Sequence, residues 1–258
     1  MASSSPPDAN LQPQPPGTAR VDRAVSIVPA PALIALAAVA MVASLYSALL
    51  YAPTDSFQGN IQRIFYIHMP AALTMYIAVT LLFFASVLYL QKRDDRWDEV
   101  GAAAAEVGIL FGTVVMITGP MWARPVWGTW WTWDAKLTST FILWLILIAY
   151  LMLRAYGGAP EQVARFCAVL GIIGFLDLPI IHFSVMWWRT MHPQPVVLTE
   201  GGLGANLPGS MLATVALGML AALLLFAVLF RYRLRVERMS RRLMAMRRSL
   251  DFSQEENL

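Results

Sequence analysis

The chain has 258 residues, of which 58% are hydrophobic and only 14% are charged. This composition is too apolar for a soluble domain of that size, and it predicts a membrane protein. The formal net charge of +3 gives no indication of nucleic-acid binding, so the basic residues are informative mainly through their distribution along the chain.

The first 28 residues are rich in Pro, Ser, Gln and Ala. They lack the apolar core that a signal peptide carries between its charged start and its cleavage site. We therefore expect residues 1–28 to form a disordered cytoplasmic extension.

Six apolar runs follow, and each approaches the about 20 residues that a helix needs to cross about 30 Å of hydrocarbon. The sequence thus predicts an all-α integral membrane protein, with a bundle of six transmembrane helices in residues 29–231. The pairs Gly119–Pro120 and Arg124–Pro125 predict that the third helix stops there. The six runs cover about 31–52, 70–91, 100–121, 137–153, 166–188 and 209–230.

Basic residues predict the orientation, because Lys and Arg are retained on the cytoplasmic side of short loops. With both termini cytoplasmic, the inner side holds fifteen of the 19 Lys and Arg residues. Residues 232–258 form a basic cytoplasmic tail, which we expect to lie along the anionic inner leaflet. Docking of this tail to a partner is the alternative. The only cysteine, Cys167, has no disulfide partner and no CxxC or CxxCH motif, so a packing role is expected.

Three outer connections remain, at about 53–69, 122–136 and 189–208. The second contains WGTWWTWDAKLTS within the segment 122–139. As a short helix, it places Trp127, Trp130, Trp131 and Asp134 on one face, with Trp133 beside them.

Such a face is a platform for a flat aromatic ligand, whereas an interfacial belt of tryptophans is the alternative. A belt is expected on both sides of the membrane, and composition alone leaves both interpretations open. Seven of the nine tryptophans belong to outer ends: Trp122, Trp127, Trp130, Trp131, Trp133, Trp187 and Trp188.

All three histidines lie in the outer half. His68 shares a helical face with Ile61, Ile64 and Phe65, which directs it toward the bilayer boundary. His192 follows Trp188 by four residues, so a continued helix stacks its ring over the indole. Two neutral imidazoles from separate segments suit a six-coordinate heme iron, whereas zinc needs three or four ligands.

Heme propionates would need cations, and the four outer ones are Arg63, Arg124, Lys136 and Arg189. Each candidate has an ordinary alternative. A lone histidine is usually solvated or capping, an arginine at a membrane end usually anchors to headgroups, and Asp134 is a possible cap of the fourth helix.

WGTWWTWDAKLTS resembles the WWD domain of heme-handling membrane proteins. IFYIHMPAA and FSVMWWRTMHP resemble the histidine segments of the CcmC family of bacterial cytochrome c maturation, over about residues 30–230. The resemblance implies that His68 and His192 are the axial ligands of the heme iron. It also places Lys136 at a position where arginine is common in the family; lysine keeps the charge but cannot form two parallel hydrogen bonds to a carboxylate. The resemblance gives His182 only a structural role. The implied heme platform is Trp122, Trp127, Trp130, Trp131, Trp133 and Asp134; the propionate candidates are Arg63, Lys136, Arg124 and Arg189.

The resemblance implies a non-enzymatic heme delivery subunit. It further implies that heme b is bound non-covalently and transiently at the periplasmic face of the inner membrane and is passed to the heme chaperone CcmE. The family works beside CcmD and the ABC transporter CcmA–CcmB. The chain has no GxxxxGK[ST] motif, so any use of ATP is expected in a partner.

Two alternatives remain open. A cytochrome c synthetase-like heme attachment factor would carry further histidines, and here only His182 is available. A heme-free membrane transporter would show intramembrane charges along a path, and the candidates are Asp177 and Glu106.

Overall fold

The computed structural model describes residues 31–193, 198–199, 202–203 and 207–255, with only the backbone described at 198–199, 202–203 and 248–255. The extension predicted at residues 1–28 lies outside the described residues. In the described part of the chain, six helices are long and apolar enough to cross a membrane, which confirms the predicted bundle. They are α1 (Pro31–Tyr46), α2 (Phe65–Lys92), α3 (Asp95–Trp127), α4 (Ala135–Tyr156), α5 (Pro160–Trp187) and α6 (Gly209–Glu255).

Short irregular elements complete the described chain. A π-helical turn, Ser47–Tyr51, extends α1, and a 3₁₀ turn, Asn60–Ile64, leads into α2. Between α5 and α6, the two-residue strands β1 (Leu198–Thr199) and β2 (Gly202–Leu203) pair antiparallel. The connections α1–α2, α3–α4 and α5–α6 share one end of the bundle, here called the tryptophan end. The opposite end is called the arginine end.

Helices α2 and α3 form the centre of the bundle because α3 presents small residues to α2. A Cβ added at Gly108 would lie 3.3 Å from the Ala78 Cβ, and one at Gly112 would lie 3.2 Å from the Met75 sulfur. Small residues allow the two backbones to approach closely, as membrane helices require. This contact fixes α2 against α3 on the side of the tryptophan end, which is where the candidate site lies.

The predicted end of the third helix at Gly119–Pro120 is wrong, because α3 continues through Pro120 and Pro125. A proline removes one helical hydrogen bond but already has a helical φ angle, and membrane helices tolerate this loss. The helix ends at Gly128 instead. This residue has a φ of 78° and donates its N–H to the Arg124 carbonyl, a common way for helices to terminate.

The sixth helix also extends beyond its predicted end at residue 230, because the basic tail continues α6. Its arginines pair with acidic residues of α3: Arg233 with Glu106, Arg238 with Glu99 and Arg241 with Asp98. These arginines therefore pack against the protein rather than lie on a lipid surface. Cys167 is buried in the core, with its sulfur 3.7 Å from the Tyr150 carbonyl oxygen, as a packing role requires.

Candidate functional site

His68 lies in the first turn of α2 and faces α3. Its Nδ1 is 2.8 Å from the Thr118 Oγ1, and its ring meets the Trp122 ring edge-on at 5.9 Å between centroids. The expected orientation toward the bilayer boundary is therefore wrong. That expectation assumed one continuous α-helical face, whereas Asn60–Ile64 is a 3₁₀ turn with a different periodicity.

Trp122 links α3 to the first connection of the tryptophan end. Its indole N–H donates to the Gln58 Oε1 at 2.7 Å, and its ring packs against Phe65 at 5.9 Å. An indole N–H has only a donor function, so the glutamine satisfies it completely. Trp122 and His68 thus form one contact group, separate from the tryptophans that follow Gly128.

The segment 129–134 is not helical, so the predicted helical face of Trp127, Trp130, Trp131 and Asp134 is wrong. Trp127 is the last residue of α3, and the left-handed Gly128 redirects the chain away from the helix axis. The aromatic grouping is instead made by Trp131 and Trp133. Their rings meet edge-on at 5.8 Å, and both contact Phe141 of α4.

Two tryptophans of this segment present large apolar surfaces to their surroundings. Trp130 is 59% exposed and Trp133 is 74% exposed. The indole nitrogen of Trp131 is buried without a hydrogen-bond partner. Exposed indoles beside a buried N–H donor without a partner are unusual for a protein surface that binds no ligand, because buried polar groups are normally hydrogen-bonded.

Asp134 connects the segment to two neighbours. Its Oδ1 accepts the Leu137 N–H at 3.0 Å, which makes it the N-cap of α4, as the alternative interpretation predicted. Its Oδ2 accepts from the Thr132 hydroxyl at 3.0 Å and from the Met191 N–H at 3.4 Å. Asp134 therefore holds the α5–α6 connection, and with it His192, against the tryptophan segment.

His192 lies on this connection, five residues after the end of α5. The expected stacking over Trp188 on a continued helix is wrong, because Trp188 already has an extended backbone. The His192 Nδ1 lies 2.9 Å from the Pro193 carbonyl oxygen, which can only accept a proton. The Nε2 lone pair therefore remains available to a metal.

The environment of His192 favours the neutral imidazole. Burial lowers its pKa to about 4, and the nearby Lys136 adds to this shift, while the Pro193 hydrogen bond and Asp134 act in the opposite direction. A neutral ring at neutral pH is the form that binds metals.

His68, His192 and Lys136 lie within electrostatic range of one another. The Lys136 charge acts on both imidazoles, and the His192 charge acts on His68. The structure therefore brings together both predicted ligands and one predicted cation, from α2, α4 and the α5–α6 connection.

The other three cations of the tryptophan end lie in different surroundings. Arg63 donates to the Ala48 carbonyl oxygen at 2.5 Å, and Arg124 donates to the Gly128 carbonyl oxygen. Arg189 is exposed. Within the described part of the chain, none of these arginines forms an ion pair with a carboxylate, and neither does Lys136.

Comparison with known proteins gives a family for this arrangement. The family model described as CcmC, heme exporter protein C, matches residues 17–249. The chain belongs to the heme exporter protein C family. Its resemblance to CcmC is thereby confirmed.

Curated relatives agree with this assignment. A heme exporter protein C of Bradyrhizobium diazoefficiens is 37% identical over 212 residues, which cover 82% of this chain and 80% of that protein. A putative cytochrome c biosynthesis ccmC-like mitochondrial protein of Marchantia polymorpha is 36% identical over 167 residues, covering 64% and 69%. A heme exporter protein C of Escherichia coli K12 is 37% identical over 145 residues, covering 55% and 58%.

The candidate ligand side chains of this heme exporter protein C family member suit a metal whose other ligands come from a cofactor, as those of heme iron do. Two neutral imidazoles come from separate elements, and the described residues contain no group of three or more His, Cys, Asp or Glu side chains able to hold a bare ion. The unpaired Trp131 nitrogen and the exposed indoles lie on the same end as these imidazoles. His182 is exposed on α5 and contacts Phe183 edge-on, apart from this arrangement.

Three residues of the site were missed from the sequence: Gln58, Thr118 and Phe141. Thr118 and Trp122 are four residues apart, so a continuous helix would place them together on the face toward His68. The assumed stop at Gly119–Pro120 concealed this relation. Gln58 carries no sequence signal, because its contact with Trp122 joins residues 64 positions apart.

Proposed function

We propose that this protein binds heme b non-covalently through His68 and His192 at the periplasmic face of the inner membrane and delivers it to the heme chaperone CcmE. One observation carries the proposal: two histidines from separate elements come together with Lys136 at one end of the bundle. The names of the relatives supply the context, since they refer to heme export and to cytochrome c biosynthesis.

The distribution of basic residues supports a periplasmic tryptophan end. Arginines cluster at the opposite end of the described bundle, and Lys and Arg are retained in the cytoplasm. Both termini are then cytoplasmic, and heme is held on the side where cytochromes c mature. The proposed partners, besides CcmE and membrane lipids, are CcmD and the CcmA–CcmB transporter, which would supply the ATP hydrolysis that this chain has no motif for.

The two proposed ligands are held differently, and this difference suits delivery. His68 is part of α2 and is packed against Thr118 and Trp122 of α3. His192 is part of an irregular connection held by the hydrogen bond from the Met191 N–H to Asp134, which at 3.4 Å is longer than the 2.8 Å contact between His68 and Thr118. An incoming chaperone ligand can displace His192 while His68 still holds the iron. Stepwise replacement of this kind moves heme without releasing it into water.

A transporter without heme finds little support among the intramembrane acids. Glu106 pairs with Arg233, so its charge is compensated within the bundle. Asp177 has one carboxyl oxygen buried without a hydrogen-bond partner, on a helix that continues through Pro179. A single uncompensated acid does not form a path across the membrane.

The test is the absorption spectrum of the protein purified from cells that make heme. The wild type is expected to carry a heme Soret band, and the double variant His68→Ala, His192→Ala is expected to lose it. His182→Ala is the matched control, because this histidine lies at the same end without contacting the pair, and it should retain the band. An unchanged spectrum in the double variant would refute the proposed ligands.

Delivery is tested separately by mixing the heme-loaded protein with purified CcmE and separating the two. Heme is expected to move to the chaperone, and His192→Ala should alter the rate of transfer more than His182→Ala does. Retention of all heme by the wild type would contradict the delivery role while leaving the binding site intact.

A further inference from the structure

Thr118 makes two contacts through a single hydroxyl group. Its Oγ1 lies 2.7 Å from the Val114 carbonyl oxygen of the preceding helical turn and 2.8 Å from the His68 Nδ1. A hydroxyl has one proton to donate, and a carbonyl oxygen can only accept. Both contacts are hydrogen bonds only if the Thr118 proton points to Val114 and the hydroxyl oxygen accepts a proton from His68.

The same arrangement occurs five residues earlier on α3, where the direction of the hydrogen bond is fixed by chemistry. The Thr113 Oγ1 donates to the Ile109 carbonyl oxygen at 2.8 Å and accepts the Trp144 indole N–H at 3.0 Å. An indole N–H can only donate, so Thr113 must accept. Thr113 therefore shows that a back-bonded threonine of this helix serves as an acceptor for a neighbouring ring.

This proton arrangement determines which nitrogen of His68 is available. With its proton on Nδ1, the neutral ring keeps its lone pair on Nε2, and metal-ligating histidines are commonly fixed in this way by an acceptor on the other nitrogen. His192 reaches the same state through the Pro193 carbonyl oxygen. Gly119 bounds the His68 ring, since a Cβ there would lie 3.5 Å from the Cε1.

We propose that Thr118 is a positioning residue, which holds His68 in the Nδ1-protonated tautomer and directs its Nε2 toward the heme iron. This inference rests on the proposed heme binding by His68. It adds a neutral hydroxyl acceptor from α3 as the group that prepares the ligand before heme arrives. The hydrogen bond also strengthens the imidazole as an electron donor to iron.

The first test needs no heme. In the apoprotein labelled with ¹⁵N-histidine, the His68 resonances, assigned by their loss in His68→Gln, are expected to show a protonated Nδ1 and an unprotonated Nε2. Thr118→Val has nearly the same shape but no acceptor, and should give a mixture of tautomers. A His68 ring protonated on Nε2 in the wild type would overturn the proposal, whatever the outcome of the heme-binding experiments.

The second test is titration of the apoprotein with hemin. Thr118→Val is expected to lower heme affinity about 10-fold to 100-fold, the usual effect of removing such a partner. It should also raise the reduction potential of the bound heme, because a weaker donor stabilises ferric iron less. Thr118→Ser retains the hydroxyl and should restore both properties.

Thr113→Val is the matched control, since it removes the same type of hydroxyl from the same helix and leaves the Trp144 indole without its acceptor. It should leave heme affinity and reduction potential unchanged. Equal losses in Thr113→Val and Thr118→Val would overturn the proposal in favour of a general effect on α3. Wild-type affinity in Thr118→Val would also overturn it. A wild type that binds no hemin would instead refute the proposed function.

Discussion

The two ends of the bundle differ in whether their charged side chains form ion pairs. At the arginine end, Asp98 pairs with Arg154 of α4, at 2.8 Å, and with Arg241 of α6, while Glu237 pairs with the same Arg154 at 2.5 Å. At the tryptophan end, within the described residues, neither Lys136 nor any of the three arginines has a carboxylate partner.

We infer that ion pairs hold the helices rigidly at the arginine end, whereas the tryptophan end can bind a ligand. The Asp98 side chain is only 3% exposed, so its ion pairs hold α3, α4 and α6 in one arrangement. The described part of the tryptophan end is held by ring contacts and by hydrogen bonds that involve no ion pair, such as Ser47–Thr214 and Trp122–Gln58. Its cations have no carboxylate to neutralise them, and its indoles are exposed, which suits a flat, anionic ligand such as heme with its propionates.

The largest effect is expected from Asp98→Ala. It removes the buried carboxylate that Arg154 and Arg241 share and leaves them only their more exposed partners, such as Glu237 for Arg154 and Asp95 for Arg241. Breaking a buried pair costs about 3–5 kcal/mol of unfolding free energy. Unfolding in detergent measures the loss. Glu161→Gln is the control, because its pair with Arg165 is exposed and contributes below about 1 kcal/mol. Equal losses in the two variants would contradict the fixed character of the arginine end.

A smaller effect, on heme rather than on stability, is expected when Trp130 and Trp133 are both replaced by Ala. Their exposed rings contribute little to the fold, while each ring contact with heme is worth about 1 kcal/mol, so affinity should fall about tenfold or more. Trp97→Ala is the control, because this tryptophan lies at the arginine end, where it packs near Lys92. Unchanged hemin affinity in the double variant would favour an interfacial belt.

Lys136→Gln is expected to lower hemin affinity about tenfold, the effect of one lost hydrogen bond to a charged group. Its charge acts on both histidines, whereas Arg189 is exposed. Arg189→Gln should therefore have the smaller effect, and Lys136→Arg should retain binding. If Arg189→Gln lowered hemin affinity more than Lys136→Gln did, the propionates would be assigned to Arg189 instead.

The smallest effect is expected from Ser47→Ala. Its hydroxyl lies 2.8 Å from that of Thr214, which already donates to the Ser210 carbonyl oxygen and so accepts from Ser47. Losing one neutral bond costs about 0.5–1.5 kcal/mol in unfolding experiments. Thr80→Ala removes a bond within a single helix and should cost less. A loss as large as that of Asp98→Ala would remove the distinction between the two ends.

The six helices were predictable because each crosses the membrane as one long apolar run, a property of local sequence. The details of the site were not. Prolines suggested a helix end at Gly119, but the deciding residue was Gly128, which alone adopts a left-handed backbone at that point. The assumed helix over Trp127–Asp134 followed from that error.

Contacts between residues far apart in the sequence were also not predictable. The pairing of Arg241 with Asp98 joins residues 143 positions apart, and nothing in either segment indicates its partner. The basic tail therefore suggested a lipid surface rather than α3. The pairing of His68 with His192 as heme ligands was predicted from the expected outer location of both residues and from the family resemblance, and it stays a prediction.

The most direct measurement is the near-infrared magnetic circular dichroism of the ferric protein, which identifies both axial ligands of a low-spin heme. Two neutral imidazoles are expected in the wild type, and one imidazole with one thioether is expected in His192→Met. A high-spin heme in the wild type, or a bis-imidazole signal that survives in His192→Met, would contradict the proposed heme ligation.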